Sequence, residues 1–386
     1  MATQQTSPFH VEPLDESEGA RPCNKETGGT RFRTLNGWIE QRLASPEVRR
    51  IDVARALGCT EVELVAAACG ASGPLCAQRL DERWQELLHA LPRIAPVTAI
   101  SSNEHAALEV SGVRRYAEHA PRTRAAGELD ARFALEHWKY GFFLRETTER
   151  GTTRSFELFD RRGALAHRVV MDGGDLRALE SLVQAHASHD QLGPIELETV
   201  RAPDSRQAAL DVGSFQRAWL EMEDDLSFAL LQARLGMTCP EAYRLVGTEF
   251  AFPVPIDTLE RVLECCVDFE LPVRISVAAR GAEQTHTGMV ERLVRDGEWL
   301  QAEGKNFTLD VRGDFEGSGW IVRRPFKSGV VTNVELYDAA GQPVVTVGAA
   351  RNADAKAAWS VLISTFAEGA DDIAEDDDEG EPAGGA

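Results

Sequence analysis

Apolar and polar positions alternate with a period of two along two parts of the chain, and each part follows a block whose apolar residues recur every three to four positions. The clearest alternation, GFFLRETTERGTTRSFELFDRRG (141–163), returns as GWIVRRPFKSGVVTNVELYDAAG (319–341), with Gly141, Arg145, Gly151, Glu157, Leu158, Asp160 and Gly163 kept without a gap. Each stretch reads as a strand, a turn at Gly151 or Gly329, a second strand, and a tight turn ending in glycine, the residue that tolerates positive φ. The same shift of 178 residues carries Leu57-Gly58-Cys59-Thr60 with Glu63 onto Leu235-Gly236-Met237-Thr238 with Glu241. Both Thr-x-x-Glu sets have capping-box spacing at the start of a helical pattern.

Such a self-match predicts a tandem duplication. In the first copy the pattern predicts helices near 35–57, 60–69 and 79–91, strands near 95–101, 106–111, 128–135, 141–147, 154–159 and 164–170, and a closing helix near 174–187. The second predicts helices near 214–234, 239–247 and 256–267, strands between 271 and 349, and a last helix near 353–367. Helices first and strands second imply α+β architecture: each repeat is a helical cluster followed by a large antiparallel β-sheet, with the two sheets stacked centrally. The expected domains are a disordered tail at 1–30, a first repeat at 31–190, a linker at 191–210, a second repeat at 211–367, and a disordered acidic tail at 368–386.

Composition narrows the function. The net charge of -21 argues against nucleic acid as a partner. Neither a signal peptide nor a run of apolar residues long enough to span a bilayer is found, so a cytoplasmic protein with no membrane insertion is expected. The seven cysteines are scattered and read as reduced thiols. GxSxG, GxxxxGK[ST], HExxH and GxGxxG signatures are missing, which removes support for hydrolase, nucleotide-binding and zincin readings. His186 and His189 have i, i+3 spacing but read as solvated residues at a helix end, and His89 reads as packed within its helix.

The copies also serve as controls for each other. Gln284 and His286 stand where the first copy has Leu108 and Val110, and Arg324 stands where it has Glu146, whereas Arg323 matches Arg145 and reads as scaffold. Gln284 and His286, two apart on a strand, share one face of the sheet. A solvated outer face explains all three equally well.

These residues lie within stretches that carry a family resemblance. QTHTGMVERL, WLQAEGKNFTLDVRG and GWIVRRPFKSGVVTNVELYDAAGQPVV, with RRIDVARALGCTEVELVAA and ELDARFALEHW in the first copy and WLEM at 219–222, resemble the haemin-degrading-factor family (HemS/ChuX-like haem utilisation proteins, two-repeat form) over about 31–367. The resemblance implies a cytoplasmic haem-binding protein of haem uptake and iron acquisition, carrying haem or degrading it by haem-oxygenase-like chemistry. Haem would be ligand or substrate, with a haem-accepting enzyme or an electron donor as further partner and no metal other than the haem iron. By motif position Arg132 matches the arginine that the family's first copy turns toward haem. Arg324 replaces the lysine of the family's RKP turn, and Gln284 joins these two as a pocket residue.

One departure stands out. The family's axial histidine lies seven residues after the helix tryptophan, which here is Trp219, and that position is Leu226. The candidates to replace it as iron ligand are His286 and Met222, the latter one turn before Leu226 on the predicted helix. No catalytic residue is assigned. The alternative is a non-haem descendant acting as a ligand-binding or protein-interaction module.

Overall fold

The computed structural model describes residues 25–44, 48–116, 128–148, 151–198, 212–223, 228, 231 and 236–376. They form two units. Unit one comprises residues up to Glu104, Ser111–Val200 and Ala279–Ala282, and unit two comprises His105–Val110, Arg201–Ala278 and Glu283 onward.

Unit one begins with helices α1 (Lys25–Ala44), α2 (Arg50–Ala56) and α3 (Glu61–Ala67). Strand β1 (Leu75–Leu80), helix α4 (Trp84–Ile94) and strands β2 (Val97–Ser102), β3 (Ala106–Val113), β4 (Arg115–Tyr116), β5 (Glu128–Phe133), β6 (Trp138–Thr148), β7 (Gly151–Asp160) and β8 (Leu165–Met171) follow in the chain, and α5 (Leu176–His186) closes the run; of β3, residues 106–110 belong to unit two. Helices α1 to α3 bury Leu35, Trp38, Val62, Leu64 and Val65 against Leu75, Tyr140, Phe142 and Leu144 of the sheet. The expected helix at 35–57 is two helices, consistent with Pro46, which lacks the N–H an interior helical position needs.

Unit two repeats the plan. Helices α6 (Val212–Leu220) and α7 (Cys239–Val246), strand β9 (Ala251–Val254) and helix α8 (Thr258–Asp268) precede β10 (Val273–Ala279), β11 (Ala282–Gly288), β12 (Arg292–Asp296), β13 (Trp299–Gly304), β14 (Phe307–Arg312), β15 (Gly317–Phe326), β16 (Gly329–Asp338) and β17 (Pro343–Ala349). A last helix, α9, spans Ala353–Asp376. Helix thus extends beyond residue 367, where the acidic tail was expected to begin, just as α1 starts within the expected N-terminal tail.

Sheet order makes the duplication explicit. Strands run β1-β6-β7-β8-β2 in the first copy and β9-β15-β16-β17-β10 in the second, all antiparallel neighbours. The outer members β1 and β9 were not expected from the pattern. Each is short, and β9 carries Pro253, which only an edge strand tolerates. The outer side of β1 is closed: Ser188 donates its N–H to Arg79 O at 2.9 Å, and the Gln191 carboxamide pairs both the N–H and the C=O of Arg79. Residues past 190, expected as linker, therefore extend unit one, with Ile195 and Leu197 on its core and Glu196 bonded through its backbone to Tyr140 Oη.

Both capping boxes form, at Thr60/Glu63 and Thr238/Glu241, each with the glutamate accepting the threonine N–H. The glycines that end the two hairpin turns lock onto these threonines. Gly163 has φ +87° and Gly341 +72°, and a β-carbon there would stand 3.1 Å from Thr60 Cβ or 2.8 Å from Thr238 Cβ. Gly163→Ala and Gly341→Ala should each cost about 1–3 kcal/mol, combining a strained φ with overpacking. Urea unfolding of each variant would show this, and midpoints unchanged from wild type would contradict the turn-to-cap lock.

Candidate functional site

The residues singled out in the sequence fall at three places, two in unit two and one in unit one. On β11 the row Gln284, His286, Gly288 runs along one face from the core outward. Gln284 is fully buried and its Nε2 donates to Leu108 O at 3.0 Å. His286 is half-buried, and its ring lies 4.6 Å from that of Phe307, tilted by 35°. The imidazole is folded back along its own strand: a β-carbon at Gly288 would stand 2.9 Å from His286 Nε2.

Arg324 and Met222 share a second place, around the rings of Phe228 and Tyr243. Arg324 is buried on β15, with a guanidinium that grips Glu335 like a fork: Nη1 to Oε1 at 2.5 Å and Nη2 to Oε2 at 3.0 Å. Nη2 also donates to Tyr243 Oη at 2.6 Å, and the guanidinium carbon lies 4.6 Å from the Phe228 ring centroid. Tyr243, Tyr337 and Asn333 donate to the same carboxylate. Burial alone would raise the Glu335 pKa, but the attraction of Arg324 and these hydrogen bonds bring it down to about 2. The Arg324 pKa is raised by the same pair, against the opposing effect of burial.

Arg324 was expected to offer a free cation to a ligand and instead neutralises a buried carboxylate. Met222 is core, 3 % exposed and packed with Phe215, Trp219 and Phe228. It also lies beyond the end of α6 at Leu220, not on a helix as expected, and its N–H turns back to Trp219 O. Leu226 lies outside the described residues.

In unit one Arg132 is exposed on β5. Its neighbour Phe133 borders a buried polar cluster that the sequence reading missed. Fully buried His167 places Nδ1 2.9 Å from Ser101 Oγ and Nε2 3.1 Å from Tyr116 Oη, with Phe133 and Trp138 against its ring. Burial lowers the His167 pKa to about 3, so the imidazole is neutral at physiological pH. The equivalent positions in unit two are Val277 and Val345, judged by matching strand registers. A search for polar residues unique to the first copy would have found the cluster. His186, expected to be solvated, is buried with Nδ1 3.0 Å from Leu182 O, whereas His89 is exposed. His89 borders an open cleft of about 530 Å³ with Arg83, Trp84, Leu135, Trp138 and Arg161, none of them a predicted site residue.

Known proteins resemble the chain over most of its length. The family model of the haemin-degrading HemS.ChuX domain matches residues 236–366, and that of the haem utilisation ChuX/HutX family matches residues 78–179. The hemin transport protein HmuS of Yersinia pestis is 30% identical over 310 residues, 79% of this chain and 88% of that protein. The chain belongs to the HemS/ChuX family. Among solved structures of the family, holo-PhuS, a heme-binding protein from Pseudomonas aeruginosa, superposes with a TM-score of 0.76 at 29% identity, covering 86% of this chain and 97% of PhuS. The heme degrading enzyme ChuS of Escherichia coli O157:H7 gives a TM-score of 0.77 at 26% identity, covering 87% and 99%.

Two pH effects follow for this family member. Glu335 is charged in the fold at pH values where the unfolded chain protonates near 4.5, so its stabilisation is complete above 4.5 and is lost as pH falls toward about 2. Glu335→Gln should therefore flatten the stability curve in that window and cost about 3–5 kcal/mol at pH 7, because Arg324 is left buried without its counter-charge. Acid titration monitored by circular dichroism measures both, and parallel curves for the two proteins would refute the assignment.

His167 has the converse origin and the same direction. The unfolded chain takes up its proton near pH 6.5 and the fold resists until about 3, so stability declines as pH drops between those values. A Ser101→Val, His167→Val double variant, which copies unit two, should lose that decline in denaturant titrations at pH 7, 5 and 4. Retention of the full decline would place its source elsewhere.

Proposed function

We propose that this chain is a cytoplasmic haem-binding protein that serves haem uptake and iron acquisition, passing haem to an accepting enzyme or presenting it for degradation. The observation that carries the reading is similarity across nearly the whole length of a hemin transport protein, joined by a heme-binding protein and a heme degrading enzyme at comparable coverage. No helix among the described residues is long and apolar enough to cross a membrane.

Haem requires a donor for iron, cations for two carboxylates and an apolar slot for the ring. An imidazole meets the first need at His286, which is half-buried and flanked by the Phe307 ring. Exposed Arg132 fits the second by its planar fork of donors. Arg324 does not fit, since both its terminal nitrogens are engaged by Glu335. Met222 does not fit without opening the core of unit two. With leucine at the family's ligand position, His286 is the iron ligand in this reading. Bound haem would supply the redox chemistry of its iron, and an electron donor would be required for ring opening. The similarity to ChuS supports ring opening as a second activity.

Titration of the purified chain with haemin should give a saturable Soret shift at micromolar concentration. His286→Ala should weaken binding by about tenfold or more, the loss expected for about 1.4 kcal/mol of iron coordination. Absence of any saturable shift would leave a non-haem module as the reading. Conversion of the bound haem to a biliverdin-like spectrum under reductant would establish degradation, and a stable complex would limit the chain to carriage.

A further inference from the structure

The environment of His286 has a feature that a simple ligand would not need. On β11 the side chains of 284, 286 and 288 share one face, and the third is glycine. Gly288 has no positive φ, so its backbone does not require glycine, but the space does. A β-carbon there would stand 2.9 Å from His286 Nε2, 3.4 Å from His286 Cδ2 and 3.3 Å from Phe307 Cε1. Phe307 is seated in the same manner: a β-carbon at Gly304 would overlap its ring edge and stand 2.5 Å from Met289 O. Gly304 thus makes room for the phenyl ring and Gly288 for the imidazole, which leans on that ring at a tilt of 35° with Nε2 beside Gly288.

An imidazole in this position holds Nε2 beside Gly288 of its own strand. Resting on the reading of His286 as the haem-iron ligand, we propose that Gly288, Gly304 and Phe307 form a parking recess for the imidazole, and that haem binding draws His286 out of it. Gly288 and Phe307 are then positioning residues that set how readily the ligand is released. A competent state populated only in part weakens apparent affinity by that fraction. An aromatic ring contact is of the size that shifts such an equilibrium by about tenfold.

Gly288→Ala puts a methyl group where Nε2 rests and should expel the ring. Two readouts on the full chain test this. The first needs no haem: the rate of carbethoxylation of His286 by diethylpyrocarbonate, followed on the peptide that contains it by mass spectrometry, should rise about tenfold in Gly288→Ala as the parked state is lost. The second is haemin affinity from the Soret titration, which should tighten by up to about tenfold in Gly288→Ala and return to the His286→Ala value in the double variant. Phe307→Leu removes the ring contact without adding a β-carbon and should move both readouts the same way, so a folding defect of Gly288→Ala alone does not decide the matter.

Carbethoxylation rates that match wild type in both variants would overturn the recess. Faster modification with unchanged haemin affinity would overturn the link between release and binding. Wild-type chain that gives no Soret shift would sink the haem reading itself and with it the drawing-out by haem. That failure is distinguishable from a recess failure, in which haemin binds, His286→Ala weakens it, and Gly288→Ala leaves it unchanged.

Discussion

A charged carboxylate buried in the second strand of each hairpin is the constraint around which each repeat is arranged. An isolated carboxylate in a sheet interior carries a desolvation cost of several kcal/mol and is tolerated only with a cation and hydrogen bonds in place. Glu157 and Glu335 occupy equivalent positions and are both buried, with pKa values held below the ordinary one despite burial. In unit one the cation arrives from a helix, Arg50 at the start of α2, 2.6 Å from Glu157, with Arg168 of β8 beyond it. In unit two it arrives from the neighbouring strand as Arg324. By the shift of 178, Phe228 is the residue equivalent to Arg50, and it lies over the Arg324 guanidinium. One helix position thus changes from supplying the charge to covering it, and the carboxylate stays satisfied in both copies.

This arrangement decides which residues are available for a ligand. A guanidinium locked against Glu335 and screened by Phe228 and Tyr243 has surrendered the donors a carboxylate-bearing ligand would use. Removing it from that network would leave Glu335 uncompensated in the same core. His286 stands where a sheet row leaves the core, from buried Gln284 to half-buried Gly288. Gln284 spends its amide on the Leu108 carbonyl and fixes the row, and two residues farther out the imidazole has begun to meet solvent.

Much of the fold was legible because duplication makes each copy a test of the other. The paired glycines, the Thr-x-x-Glu boxes and the Glu-Leu-x-Asp strands recur for steric and hydrogen-bonding reasons that hold in both units, and they located six strands and their helices. Strands β1 and β9 escaped because they are short edge elements whose conformation is set by pairing with β6 and β15, not by local pattern. The site was less legible. Arg324 differs between copies, which marked it, but the reason is a partner that does not differ, and a residue shared by both repeats carries no asymmetry to detect. Ser101 and His167 were detectable, since valines replace both in unit two, but only by reading the difference from the first copy outward.

The same comparison separates polar groups that serve folding from those that serve a ligand. A polar residue unique to one repeat has a local cause, but that cause is either an internal partner or an external one. Arg324 and Gln284 each find internal partners, and His167 finds two. His286 differs from these in its half-buried position and in the glycine, Gly288, that stands beside its Nε2. Gly288, the last residue of β11, keeps space clear for the imidazole, and Gly304, the last residue of β13, keeps it clear for the Phe307 ring. Glycine at these two strand ends leaves the imidazole and the phenyl ring room that a larger residue would close, and this is what the proposed recess requires.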